Sequence, residues 1–260
     1  MSIKINTGTI LPFVMFAVLM AVAAIFTYLG KKGKTFELRK LAAIEAIDDG
    51  IGRAVEMGKP ILFDFTSRAQ LAGAYQLETM CTMSALQYIM AQSAKLGANL
   101  IVMLTEATQV PLVADMGRTV YSSEGKPGGF TEANIRYHIG SNAKAVKRDC
   151  VMDLQPATLF AIGPQSGTDF HYLEGGMEQG VFQVGGTARA LASAFFVVCC
   201  DYSLIMEEEF VAGAYLSKDP DLLCTVAGGD AIRYGLFALI IMGSILSLVR
   251  ITTLSDILKR

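Results

Sequence analysis

Hydrophobic and polar positions divide this chain into three parts. Thr9 to Leu29 is 21 residues without a charge and ends in Gly30-Lys31-Lys32-Gly33-Lys34. Tyr234 to Val249 is 16 uncharged residues held between Arg233 and Arg250. Between them the pattern alternates between helical stripes and short apolar runs. Leu41, Ile44, Ile47, Ile51 and Val55 recur every three or four residues, which is one face of a helix closed by Gly58-Lys59-Pro60. Ile61 to Thr66 is a short apolar run, the mark of a strand buried on both faces. A helical pattern follows through Leu77, Met80, Leu86, Ile89 and Met90 to a stop at Gly97. Asn99 to Thr105 is a second buried strand, and Val110 to Ser123 a further helix.

Thr131 has the character of an N-cap, with Asn134 three residues on, and predicts a helix running to about Cys150. Lys144, Lys147 and Arg148 then fall near its end, where cations suit the macrodipole. Ala157 to Ile162 is a third strand and Val181 to Val184 a fourth. Phe195 to Cys200 and Tyr202 to Met206 supply the last strand material. Glu207-Glu208-Glu209 opens a helix with acids on its positive end, read as a solvated face. The alternation predicts an α/β domain: a mainly parallel sheet of about five strands covered by helices, Rossmann-like in layering. The expected boundaries are an anchor at 1–34, the α/β domain at 35–230, and a second anchor with its tail at 231–260.

A helix of 21 residues is roughly 31 Å long, enough to cross the hydrocarbon layer. The second stretch is about 24 Å, with Arg233 and Arg250 placed to snorkel toward the two interfaces. Lys31, Lys32, Lys34, Arg39 and Lys40 follow the first stretch and only Lys4 precedes it, which predicts a cell-membrane protein with a cytoplasmic domain. Hydrophobic content of 52% and a mean hydropathy of +0.43 fit two such anchors. A net charge of −2 gives nucleic acid no bulk attraction. Five cysteines, an odd number without C-x-x-C spacing, read as buried thiols and not as a disulfide framework.

Candidate chemistry is sparse. Ligands of open α/β sheets bind beyond the carboxyl ends of the strands. The glycine- and hydroxyl-rich segments there, Gly163, Ser166, Gly167 and Thr168 after the third strand and Gly185, Gly186 and Thr187 after the fourth, are the candidate anion or nucleotide cradles. Neither has a nucleotide-loop signature. His138 and His171 are far apart and have no partner at i+3 or i+4; Asp169 and Glu174 flank His171, but in a polar glycine-rich segment, so the histidines read as surface residues and no metal or other cofactor is expected. Asp64 is the unusual carboxylate, inside an apolar strand, expected to face an arginine or a helix amide. No nucleophile motif is present, and Cys199-Cys200-Asp201 reads as buried thiol sequence.

Three blocks carry a resemblance: LRKLAAIEAIDDGIGRAVEMGKPILF (Leu38 to Phe63), VFQVGGTARA (Val181 to Ala190) and FFVVCCDYSLIMEEEFVAGAYLSKDP (Phe195 to Pro220). With the two apolar ends, they resemble an uncharacterised family of bacterial and archaeal membrane proteins. That family holds a domain of unknown function between N- and C-terminal transmembrane segments. The resemblance implies architecture and no catalytic residues. Together these readings lead to a non-enzymatic, membrane-anchored assembly protein. Small residues (Gly243, Ser247; Ala17, Ala21, Ala24) allow close helix approach. Its expected partners are the lipid bilayer and either further copies of itself or the subunits of a larger membrane complex. The alternative is a membrane-tethered nucleotide- or anion-binding enzyme or regulator using the two glycine loops.

Overall fold

The computed structural model describes residues 10–32, 41–65, 69, 73–138, 143–165, 170–217 and 219–248. The chain divides into two units, Lys40–Ser217 and the pair of end segments Met1–Arg39 and Lys218–Arg260.

The first unit is α/β. Its strands are β1 (Ile61–Asp64), β2 (Leu100–Leu104), β3 (Ile135–Tyr137), β4 (Thr158–Ile162), β5 (Phe182–Thr187) and β6 (Tyr202–Ile205). All pair in parallel, in the order β3-β2-β1-β4-β5-β6. The sheet thus has six strands, one more than expected. β1, β2, β4 and β5 are buried along their whole length, which is why β1, β2 and β4 read as largely continuous apolar runs; β5 begins one residue later than Val181 and continues through Gly185, Gly186 and Thr187.

The end segments contain α1 (Ile10–Lys31) and α9 (Pro220–Leu248). The α/β unit contains α2 (Ala42–Met57), α3 (Gln76–Leu96), α4 (Gln109–Ser123), α5 (Ala143–Leu154), α6 (Phe170–Glu178), α7 (Ala190–Cys199) and α8 (Glu207–Ser217). Helices α2 and α3 end where their glycines predict, with Gly58 and Gly97 in the left-handed conformation. The buried stripe of α2 closes on Ala54, and Val55 faces solvent. Helices α5, α6 and α7 cover one face of the sheet, packing on Leu62, Ile101, Met103, Leu159 and Ala161. Helix α2 lies on the other face, where a Cβ at Gly50 would meet Thr158, Phe160 and Phe182, and α3, α4 and α8 continue that layer.

Two local readings change. Thr131 and Asn134 do form a capping box, but it closes a single 3₁₀ turn, Glu132–Asn134. The Asn134 side chain donates to the Leu100 carbonyl, which locks the following residues beside β2 as strand β3. Lys147 therefore sits in the first half of α5 and not at a helix end. Phe195 to Cys199 is helix and not strand, with Cys200 its extended C-cap; Ala192 and Phe196, four residues apart, are the buried positions of the helix.

In the second unit α1 packs against α9, with the Phe26 ring over Gly228. Among the described residues one helix is long and apolar enough to cross a membrane, the 24-residue stretch Leu222–Ile245 of α9. It starts well before Tyr234, so Arg233 lies inside the helix and does not bound it. The apolar stretch found in α1, Phe16–Leu29, is shorter than a crossing. The crossing-length helix is thus the carboxyl-terminal one, where the amino-terminal stretch was the stronger expectation.

Candidate functional site

The strand order creates a switch point. From β1 the chain moves outward through β2 and β3, then returns to β1's other side and moves outward through β4, β5 and β6. The switch point lies beyond the carboxyl ends of β1 and β4, where ligands of such sheets bind.

Asp64, the last residue of β1, stands there, fully buried. Its partner is neither an arginine nor an amide of the backbone. Lys147 of α5 places Nζ 2.6 Å from Asp64 Oδ1, and the Gln165 side-chain amide donates to Asp64 Oδ2 at 3.0 Å. Lys147 and Gln165 are also buried. The ammonium of Lys147 lies over the Tyr172 ring of α6, 5.4 Å from its centroid. Gln165 reaches Asp64 because the chain turns sharply off β4 at Gly163. There φ is 137°, the Gly163 amide donates to the Gly186 carbonyl, and the Gln165 amide donates back to the Gly163 carbonyl.

His138, directly after β3, is held to the sheet by the hydrogen bond that its backbone amide donates to the Leu104 carbonyl. It is half-buried and not a surface residue. Burial pushes its imidazole below the ordinary range, the Lys147 charge adds to this, and the Asp64 charge opposes it. Its ring is therefore neutral at neutral pH. Among the described residues His138 Nε2 and Gln165 Oε1 are buried without a hydrogen-bond partner, and Asp64 Oδ1 and Lys147 Nζ meet only as the ion pair. The charges of Asp64 and Lys147 cancel within the pair, and Arg136 is the further positive charge that acts on His138.

A second polar cluster lies beyond β1, β5 and β6. Glu209 of α8 is fully buried, not solvated, because its helix packs on α3 and this position faces inward. Its carboxyl is pushed up to about 9, first by burial and then by Glu78. Glu78, in the first turn of α3, has Arg189 Nε 3.7 Å away, and the Arg189 guanidinium stacks 3.9 Å over the Tyr75 ring. Burial raises Glu78 as well, with Arg189 opposing.

The glycine segments are placed differently from the expectation. Gly163 is the turn just described. Ser166, Gly167 and Thr168 lie outside the described residues, as does Thr66 at the end of the expected first strand. Gly185, Gly186 and Thr187 belong to β5 itself, paired to β4 or β6, and are buried. A Cβ on Gly185 would lie 2.2 Å from the Phe196 ring, and one on Gly186 2.7 Å from Leu204 Cβ. Those two glycines let α7 and β6 approach closely; they form no loop. The same reading missed Lys147. Its signal was positional: Lys147, Cys150, Val151 and Leu154 form a single stripe of α5, on which the lysine is the only charged member.

Two open clefts, about 450 and 600 Å³, meet at the exposed Arg118–Glu132 pair beside the outer edge of β3. Their lining gathers no buried polar group. No group of three or more metal-ligating side chains is found among the described residues.

Residues 3–258 match DUF6754, a domain of unknown function. The chain belongs to that family. The match spans both apolar ends as well as the α/β unit, so DUF6754 covers the sheet, the switch-point group and α9 together. No curated protein and no solved structure matches the chain.

Proposed function

We propose that this protein is a membrane-associated binding module whose α/β unit takes a nucleotide-type ligand at the β1/β4 switch point. The observation that carries this reading is the buried Asp64–Lys147–Gln165 group at the switch point, with Gln165 Oε1 and His138 Nε2 unmatched among the described residues. Buried polar groups left unpaired cost stability unless water or a ligand completes them. Because the ion pair is neutral, the matching chemical group both donates and accepts hydrogen bonds. A ribose hydroxyl or a base edge fits this better than a bare phosphate.

The membrane part of the reading rests on α9. Its Phe237, Ile240, Ile241, Met242 and Ile245 are exposed apolar side chains on a helix of crossing length. A second span from the amino-terminal stretch and a cytoplasmic domain belong to the same proposal, supported by the lysine cluster and the apolar lengths; a prokaryotic source rests on the family resemblance alone.

The test uses the full chain in detergent. Thermal unfolding is followed with adenosine, AMP, ATP and NAD at millimolar concentration. Stabilisation by at least one of them, absent in Gln165→Leu, is the expected result. Adenosine acting as well as AMP assigns the contact to the neutral part of the ligand. No shift with any of the four overturns the nucleotide reading. Release of the chain from membranes by alkaline carbonate overturns the anchor.

A further inference from the structure

Helix α7 has two apolar stripes, and its fold accounts for only one. Ala192 and Phe196 point at β5, where Gly185 leaves room for the Phe196 ring. Leu191, Ala194, Phe195 and Val198, at spacings of three, four and seven, point away from the sheet. Leu191 is 86% exposed and Val198 73%. Val197 flanks them and is also exposed. The register extends the patch to the edge strand. Gly185 faces Phe196 and pairs with Ser203, so Ser203 and Ile205 of β6 lie on the α7 face, and Ile205 is exposed. From Ala190 to Cys200 no residue is charged.

We propose that this face is the contact between two copies of the chain, with α7 packed antiparallel on the α7 of a second copy across a two-fold axis. Three observations carry it. The first is area. Leu191, Phe195, Val197, Val198 and Ile205 leave on the order of 550 Å² of apolar surface in water, most of the ~800 Å² that each partner contributes to a standard interface.

The second is self-complementarity. An axis midway between Ala194 and Phe195 sets Leu191 against Val198 and Ala194 against Phe195, so each large ring meets a small residue of the other copy. Phe195 is already held for this by stacking on Phe170 of α6, with centroids 4.8 Å apart.

The third is charge. A second copy meets no like charge on this patch. A bilayer is the poorer match, because helices that lie on membranes carry Lys or Arg along their rim. The nearest basic residue, Arg189, is turned to Glu78 and Tyr75.

Light scattering of the full chain in detergent tests this. Wild type is expected as a dimer, and the Leu191→Asp/Val198→Asp pair as a monomer with unchanged thermal unfolding of the monomeric unit, since both side chains already face water. A wild-type monomer at tens of micromolar, or a dimer that survives both substitutions, overturns the interface. The chain contains no tryptophan, so Val198→Trp supplies a single fluorophore for the competing occupant. In nanodiscs holding one chain each, quenching of that tryptophan by brominated lipid assigns the face to the bilayer and overturns the proposal; its absence supports it.

Discussion

Lys147 Nζ lies 2.6 Å from Asp64 Oδ1, and water reaches neither side chain. The two residues sit on different elements, α5 and β1, and share no local sequence signal. Removing one partner of such a pair strands a buried charge, which costs about 3–5 kcal/mol. Lys147→Met is therefore expected to lower the unfolding temperature severely, and Lys147→Met with Asp64→Leu to recover most of the loss. Thermal unfolding of both variants in the same detergent checks this. A double variant no better than the single one would show that the pair does not act as a unit.

Glu209 makes stability depend on pH. Its carboxyl titrates near 4.5 when the chain is unfolded and near 9 when folded. Between those values the folded chain keeps a proton that the unfolded chain has released. Stability therefore falls as pH rises through this window, by at most about 1.4 kcal/mol per pH unit, and the loss is complete above about pH 9. Glu209→Gln keeps the group neutral and removes the slope. The difference in unfolding temperature between Glu209→Gln and wild type is expected to widen from pH 5 to pH 9; a constant difference refutes the assignment.

The thiols are expected to be slow nucleophiles. Burial, followed by the Glu209 and Glu78 charges, pushes Cys81 up to about 12, and burial raises Cys200 beyond the ordinary thiol range. In the native protein at pH 7.5, iodoacetamide should modify Cys81 and Cys200 at least ~100-fold more slowly than after unfolding. Peptide mass spectrometry over a time course measures both rates. Rapid native labelling of Cys81 counts against the buried carboxylate cluster beside it.

Two glycines should respond in opposite directions to the same substitution. A methyl at Gly185 would enter the Phe196 ring space, and Gly185→Ala is expected to cost about 1–3 kcal/mol. A methyl at Gly52, inside α2, meets nothing within 4 Å, so Gly52→Ala should stabilise by roughly 0.5–1 kcal/mol through helix propensity. Unfolding temperatures of the two variants decide this. Equal and opposite-to-expected shifts would show that Gly185 is present for some reason other than the approach of α7.

Much of the fold was legible because its signals are local. β1, β2 and β4 were found from apolar runs, and the ends of α2 and α3 from single glycines whose positive φ is a property of one residue. Asp64 also announced itself, since a carboxylate inside an apolar run needs a partner. The misreadings have local causes too. Thr131 and Asn134 carried a true capping signal, but a cap does not say how long its helix is; the Asn134 bond to Leu100, more than thirty residues earlier, ended it. Gly185 and Gly186 looked like an anion-cradling loop because glycine in such a loop and glycine under a packed ring are the same letter. Glu209 looked solvated beside Glu207 and Glu208, and only the packing of α8 on α3 separates it from them.

Sequence by itself determined the alternation of helices and buried strands, the family, and an apolar carboxyl-terminal stretch. Each of these depends on periodicity, length or composition along one stretch of chain. The tertiary structure decided the strand order, and with it the meeting of Asp64, Lys147 and Gln165 at one switch point. It also decided that α7 turns a second apolar stripe outward. Those outcomes are set by which elements lie side by side, and adjacency in a parallel sheet comes from crossovers between distant segments, which no local pattern encodes.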